Sequence, residues 1–248
     1  MQPSTKALST KALSSNTLSA QALATKAGAC ALILAPLIGL ASSLALPPLR
    51  SGERAQIAAI TAAPGRWYTF ALLGLVFGYL LVPAVFALMR LLGQSRPLWA
   101  LLAGWLAQFG ILVAIGDAAV ELMYWQMGTP HASLAQMAAL ASRYESATSL
   151  IYMIGGLSAL AGLTLLSLGL WRARAVPAWA AAAIPAATVI NIVGMSFNNL
   201  PLTIISLVVM LAAFAKAAVI ILKSVPAAQA PAPAASAPIP ATQTLAQN

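Results

Sequence analysis

Asp117 and Glu121 are the residues of this sequence whose types and spacing best suit chemistry. They are four positions apart, so on a helix they share one face, with Cβ atoms about 5–6 Å from each other. Two carboxylates that close, and partly out of water, do not both ionise easily, so one of them is expected to hold a proton. The spacing therefore predicts a candidate proton or cation site. The alternative is a pair that water solvates at the outer membrane face, or that Arg66 or Arg143 neutralises.

A divalent metal at the same place would need His131, the only histidine, and Glu145 to join the pair. The chain has no His-x-x-x-His or Glu-x-x-His spacing, and a single histidine cannot supply bis-His haem ligation. Cys30 is the only cysteine, which excludes an intramolecular disulfide and a thiolate cluster. We therefore expect no metal and no cofactor, with Asp117, Glu121 and His131 as the alternative metal set.

Three side-chain amides, Gln108, Asn191 and Asn198, fall in or at the end of apolar stretches. Asn191 and Asn198 are seven positions apart, which is two turns along one helix face. Amides at membrane depth usually hydrogen-bond a neighbouring helix, and the alternative is a polar path for a solute. The chain contains no nucleotide-binding loop, no Gly-x-Ser-x-Gly elbow and no His-Glu-x-x-His motif, so we expect no enzymatic activity. The alternative is a membrane metalloenzyme with its metal at Asp117, Glu121 and His131.

The elements that position these residues are long apolar segments. Of the 248 residues, 61% are hydrophobic and 7% charged, with a mean hydropathy of +0.89, whereas soluble domains have about 25% charged residues. This composition excludes a soluble globular protein. Inside lipid only helices and closed barrels satisfy the backbone, and the segments lack the polar-apolar alternation of barrel strands. We predict an all-α bundle of six transmembrane helices within residues 28–222, at about 28–46, 67–89, 98–121, 148–171, 176–197 and 202–222.

The two ends of the chain differ from this apolar region. Residues 1–27 are rich in Ser, Thr, Ala and Lys and contain no acid, which predicts a flexible basic arm. Residues 223–248 are rich in Pro and Ala, which predicts a disordered tail. The first span ends in Ser43-Leu44-Ala45, a pattern that a signal peptidase could cut. Cleavage there would leave five spans and is the alternative to a retained first helix.

The basic residues lie at the ends of the apolar runs, which indicates orientation and contact with anionic lipid headgroups rather than nucleic-acid binding. An excess of Lys and Arg on one side of the spans predicts that both termini are cytoplasmic, in the inner membrane of a bacterium. The predicted cytoplasmic side has nine Lys and Arg residues and the outer side four: Lys6, Lys11, Lys26, Arg90, Arg96, Arg172, Arg174, Lys216 and Lys223 against Arg50, Arg54, Arg66 and Arg143.

Two pairs of small residues have the spacing that lets membrane helices approach closely: Gly74 with Gly78, and Ser158 with Gly162. Such faces pack helices within one chain or between copies or partners. Homo- or hetero-oligomers through these faces are therefore an expectation, together with membrane lipids as the general partner.

Four phrases of the sequence, covering about a quarter of the chain, carry a resemblance: RWYTFALLGLVFGYLLVPAVFALMRLLG, GDAAVELMYWQM, SRYESATS and LWRARAVPAWAAA. They are similar to small bacterial multi-pass membrane proteins of the domain-of-unknown-function type. This resemblance implies a six-span inner-membrane protein without an assigned activity, and it carries over no functional residue.

The sequence thus favours a structural or interaction component of the membrane. The alternative is a small transporter or proton-coupled permease that uses Asp117 and Glu121, with Asn191 and Asn198 lining the path. No residue pattern identifies a small-molecule substrate.

Overall fold

The computed structural model describes residues 5–47, 53–128 and 133–224, and within these ranges the regular structure is helical, without strands. Six of the helices are long and apolar enough to cross a membrane, which confirms the predicted all-helical bundle. The elements are α1 (Thr5–Ala45), α2 (Glu53–Ala62), α3 (Pro64–Gly93), α4 (Pro97–Met127), α5 (Leu134–Arg172), α6 (Ala178–Ser196) and α7 (Leu200–Ser224).

The helices extend beyond the apolar segments at several places. Helix α1 begins at Thr5, inside the segment predicted as a flexible arm, and its membrane-length part begins at Ala20. Ala, Leu and Lys in this start favour the helix, although Ser and Thr, which favour it less, are interspersed among them. Helix α5 begins at Leu134 rather than near residue 148, after Ser133 accepts a hydrogen bond from the Gln136 amide. The short helix α2 was not predicted, and most of the predicted tail, residues 225–248, lies outside the described residues.

The six long helices form a closed ring. Each packs against the next in the order α3, α4, α5, α6, α7 and α1, and α1 packs back against α3. Helix α3 also contacts α5 and α7 across the ring, whereas the described parts of α4 and α6 do not pack against each other. Helix α2 lies against α3, α4 and α5 at one end of the ring.

Large apolar side chains fill the centre of the ring in the half where α3 and α5 end. Leu32 of α1, Leu88 and Leu92 of α3, Leu170 of α5 and Phe214 of α7 are fully buried there. They belong to one cluster to which all six long helices contribute. A second, smaller cluster at the opposite end joins α2 to α3, α4 and α5. Close packing of the first cluster leaves this half of the ring occupied by side chains.

Helices α4 and α5 approach each other through small residues. A Cβ atom at Gly162 would meet the backbone of Ala107, and one at Gly110 would meet the backbone of Ala159. Gly162, a member of one of the predicted small-residue pairs, therefore packs inside the bundle. Gly78 likewise faces a side chain of α4, that of Ile115. Each predicted pair of small residues thus has one member that packs against another helix of the same chain.

The two ends of the bundle carry different charges. The end that holds the α3–α4 and α5–α6 turns, called here the basic end, has seven described cations and no acidic side chain: Lys26, Arg90, Arg96, Arg172, Arg174, Lys216 and Lys223. The opposite end, called the acidic end, holds all four acidic residues of the chain, Glu53, Asp117, Glu121 and Glu145.

We predict that Gly162→Ala lowers the free energy of unfolding by about 1–3 kcal/mol, because the added methyl group meets backbone atoms of α4 that cannot move aside. Thermal unfolding in detergent measures the effect. Gly156→Ala on the same helix is the matched control, since nothing lies within 4 Å of its Cβ position. Equal stability of the two variants would contradict the close α4–α5 contact.

Candidate functional site

The acidic end contains a cluster of carboxylates and tyrosines between α4 and α5, called here the acid–tyrosine cluster. Asp117 and Glu121 lie one turn apart on α4, and Glu145 of α5 is close enough to interact electrostatically with both. Three of the four acidic residues in the chain therefore meet at one place. The cluster consists of Asp117, Glu121, Tyr124, Tyr144, Glu145 and Tyr152.

Glu121 has the most enclosed carboxylate of the cluster. Its Oε2 atom is buried and has no hydrogen-bond partner among the described residues. Its backbone carbonyl accepts a hydrogen bond of 3.0 Å from the indole Nε1 of Trp67, a buried residue of α3. Asp117, one turn earlier, is exposed at the surface of the bundle. A buried carboxylate oxygen without a protein partner is suited to hold a proton or a cation.

Tyrosines of α5 and α4 line the cluster beside the acids. The hydroxyl groups of Tyr144 and Tyr152 are 2.7 Å apart and share a hydrogen bond. The ring of Tyr144 meets that of Tyr124 edge to face, with centroids 6.4 Å apart. Thr148 donates to the Tyr144 carbonyl one turn earlier on α5. The tyrosine hydroxyls therefore form a polar strip that continues from the acids along α5.

The described residues contain no group of three His, Cys, Asp or Glu side chains arranged to hold a metal ion. The three carboxylates thus lie near one another without converging as ligands. His131, which the alternative metal set requires, lies outside the described residues. Arg66, one of two residues expected to neutralise the pair, instead donates hydrogen bonds to the carbonyls of Ala45 and Leu46 at the end of α1.

The three amide side chains lie at three different places in the bundle. Gln108 is buried, and its Nε2 donates to the Val82 carbonyl of α3 at 2.9 Å. Asn191 donates from Nδ2 to Ser206 of α7 at 3.0 Å. Asn198 lines a cavity of about 590 Å³ at the α6–α7 turn. The structure does not bring the three amides together, and it places Asn191 on a helix that does not pack against the described part of α4.

Several residues of the site were not predicted. Tyr144 and Tyr152 lie eight positions apart, with Thr148 midway, which is the spacing of one helix face. That periodicity could have identified the tyrosine strip if α5 had been extended before residue 148. The Trp67 hydrogen bond to Glu121 has no signal in the sequence, because it joins residues 54 positions apart.

We predict opposite effects for two matched substitutions on α4. Glu121→Met raises the free energy of unfolding by about 1–3 kcal/mol, because it removes a buried carboxylate oxygen without a partner. Gln108→Met lowers it by about 1 kcal/mol, because it removes the hydrogen bond to α3. Thermal unfolding of both variants in one detergent tests this, and a Glu121→Met variant less stable than the parent would contradict the first expectation.

Comparison of the chain with protein-family models, with curated proteins and with solved structures finds no match.

Proposed function

We propose that this protein is a non-catalytic structural or interaction component of a bacterial cytoplasmic membrane, with six spans and both termini in the cytoplasm. The six long apolar helices make it a multi-pass membrane protein in contact with lipid. The observation that carries the proposal is the apolar cluster to which all six of these helices contribute.

This cluster favours a structural role because a solute path needs a continuous polar or water-filled lining through the bundle. The half of the ring near the basic end is filled instead by fully buried Leu and Phe side chains. The buried amide of Gln108 and the hydroxyl of Ser42 each donate to a backbone carbonyl of α3. Such hydrogen bonds join helices and leave these groups unavailable to a passing solute.

The charge distribution supports the proposed orientation. Among the residues whose side chains the structure describes, seven Lys and Arg residues lie at the basic end and three, Arg54, Arg66 and Arg143, at the other end. Cytoplasmic loops of membrane proteins carry the excess of Lys and Arg. The basic end therefore faces the cytoplasm in this proposal.

We predict that single cysteines report this orientation in intact bacterial cells. Arg96 and Arg143 are both exposed, at the basic and acidic ends respectively. In a Cys30→Ser background, a membrane-impermeant maleimide should label Arg143→Cys directly and Arg96→Cys only after permeabilisation. The reverse pattern would contradict the proposed orientation, and labelling of neither site after permeabilisation would show that the positions are buried.

A second candidate function is a proton-coupled permease, which the buried and unpartnered Oε2 of Glu121 favours. Vesicles containing the purified full-length protein, a pH-sensitive dye and an imposed proton gradient separate the two candidates. The structural proposal predicts proton flux equal to that of empty vesicles. If the parent protein gives a higher flux and the double variant Asp117→Asn with Glu121→Gln abolishes it, the permease replaces the structural proposal. If the higher flux is unchanged in the double variant, the carboxylate pair is not part of the mechanism.

A further inference from the structure

A cavity of about 620 Å³ lies at the basic end, where α5 ends and α6 begins. Trp171 and Arg172 line it from the end of α5, and Arg174 lines it from the α5–α6 turn. Ala178 lines it from the start of α6, and Ile220 from α7. It lies about 27 residues along α5 from Glu145, which is about 40 Å at the helical rise. The cavity is therefore a separate site from the acid–tyrosine cluster.

The two arginines in this cavity have no acidic side chain near them. All four acidic residues of the chain are at the acidic end. Arg172 and Arg174 are exposed, and they are separated by one residue across the turn. Their guanidinium groups are therefore open to an anion from outside the chain's own carboxylate side chains, and guanidinium groups bind phosphate oxygens well.

The backbone around the cavity adds to its positive character. Pro177 caps the start of α6 without a side-chain hydrogen bond, and the first two amides bonded to its carbonyl are those of Ala180 and Ala181. The amides of the first helical positions, including Ala178, thus have no acceptor within the helix. Uncapped N–H groups at the start of a helix attract anions, in addition to the two guanidinium groups.

The cavity also has an apolar side at the depth of the membrane surface. Trp171 and Trp179 at the α5–α6 turn are 51% and 54% exposed. Exposed tryptophans of membrane proteins lie at the level of the lipid headgroups. The side chains of Trp171 and Ile220 offer an apolar wall next to the arginines. This combination suits an amphipathic anion rather than a small soluble one.

We propose that this cavity binds the headgroup phosphate of an anionic phospholipid in the leaflet at the basic end, with Arg172 and Arg174 as its cationic partners. Basic pockets between membrane helices recognise lipids in this way. The acyl chains extend past Trp171 and Ile220 toward the hydrocarbon layer. The inference holds for either orientation of the bundle in the membrane, so it does not depend on the proposed function.

The conformation of Arg174 allows its charge to be removed without harming the turn. Its φ of 54° is in the left-handed region, and the Ala175 amide bonds the Leu170 carbonyl at 3.0 Å across the end of α5. Glycine adopts this conformation without the steric cost that an arginine meets. Arg174→Gly should therefore fold at least as well as the parent chain while it removes one guanidinium group.

The test measures the thermal unfolding midpoint of the full-length protein, delipidated in detergent, during titration with short-chain phosphatidylglycerol. The midpoint should rise with phosphatidylglycerol and stay unchanged with phosphatidylcholine or inorganic phosphate. The variant Arg174→Gly, which loses one cation, should bind phosphatidylglycerol about fivefold more weakly. The double variant Arg172→Gln with Arg174→Gln, which loses two cations, should bind it about 30-fold more weakly. The matched control removes two arginines at the same end, Arg90→Gln with Arg96→Gln, and should keep the parent response.

Three results would overturn the inference. The double variant and Arg174→Gly could keep the parent's affinity for phosphatidylglycerol, which would show that these arginines are not the partners. The control could lose as much affinity as the double variant, which would show a general charge effect rather than a site. Inorganic phosphate could give the same rise in midpoint, which would show a soluble anion rather than a lipid. If the double variant does not fold, Arg174→Gly alone decides between the first result and the proposal.

Discussion

The close approach of α4 and α5 determines the geometry at both ends of the bundle. Glycines at 110 and 162 let the two backbones touch, which holds the helices in one register. At one end this register places Glu145 and the tyrosines of α5 beside Asp117 and Glu121 of α4. Toward the other end, the indole Nε1 of Trp99 of α4 donates a hydrogen bond of 2.8 Å to the Leu165 carbonyl of α5. Lipid supplies no hydrophobic drive between helices, so small residues and hydrogen bonds must provide the contact.

Hydropathy was sufficient to predict the number of spans, because a 30 Å hydrocarbon layer requires about 20 apolar residues from each helix. It could not predict where the helices end, since a helix continues into water wherever its residues favour it. The polar stretch of α5 before residue 148 and the short helix α2 are both of this kind. Helix α2 buries one side against the bundle, where Ile57 and Ile60 pack in one cluster with Trp67.

The candidate site was partly predictable for a related reason. Asp117 and Glu121 are neighbours on one helix, so the spacing alone puts them on one face. Tyr144 and Trp67 reach the same place from other helices, and only the packing of α3 and α5 against α4 brings them there. The amides illustrate the same limit: their type predicts a hydrogen bond, but only the folded structure defines the partner, as for Asn191 and Ser206.

The separation of charge along the bundle makes the protein an electric dipole. Its carboxylates are collected at one end, and the other end has cations without acidic side chains among the described residues. A voltage across the membrane acts on such a distribution with about 2.3 kcal/mol per elementary charge for each 100 mV. An inside-negative potential acts chiefly on the cationic end and draws it toward the interior, because Arg54, Arg66 and Arg143 offset the carboxylates at the other end. An energised membrane therefore favours one direction of insertion through the field itself, in addition to the signals read from the loops.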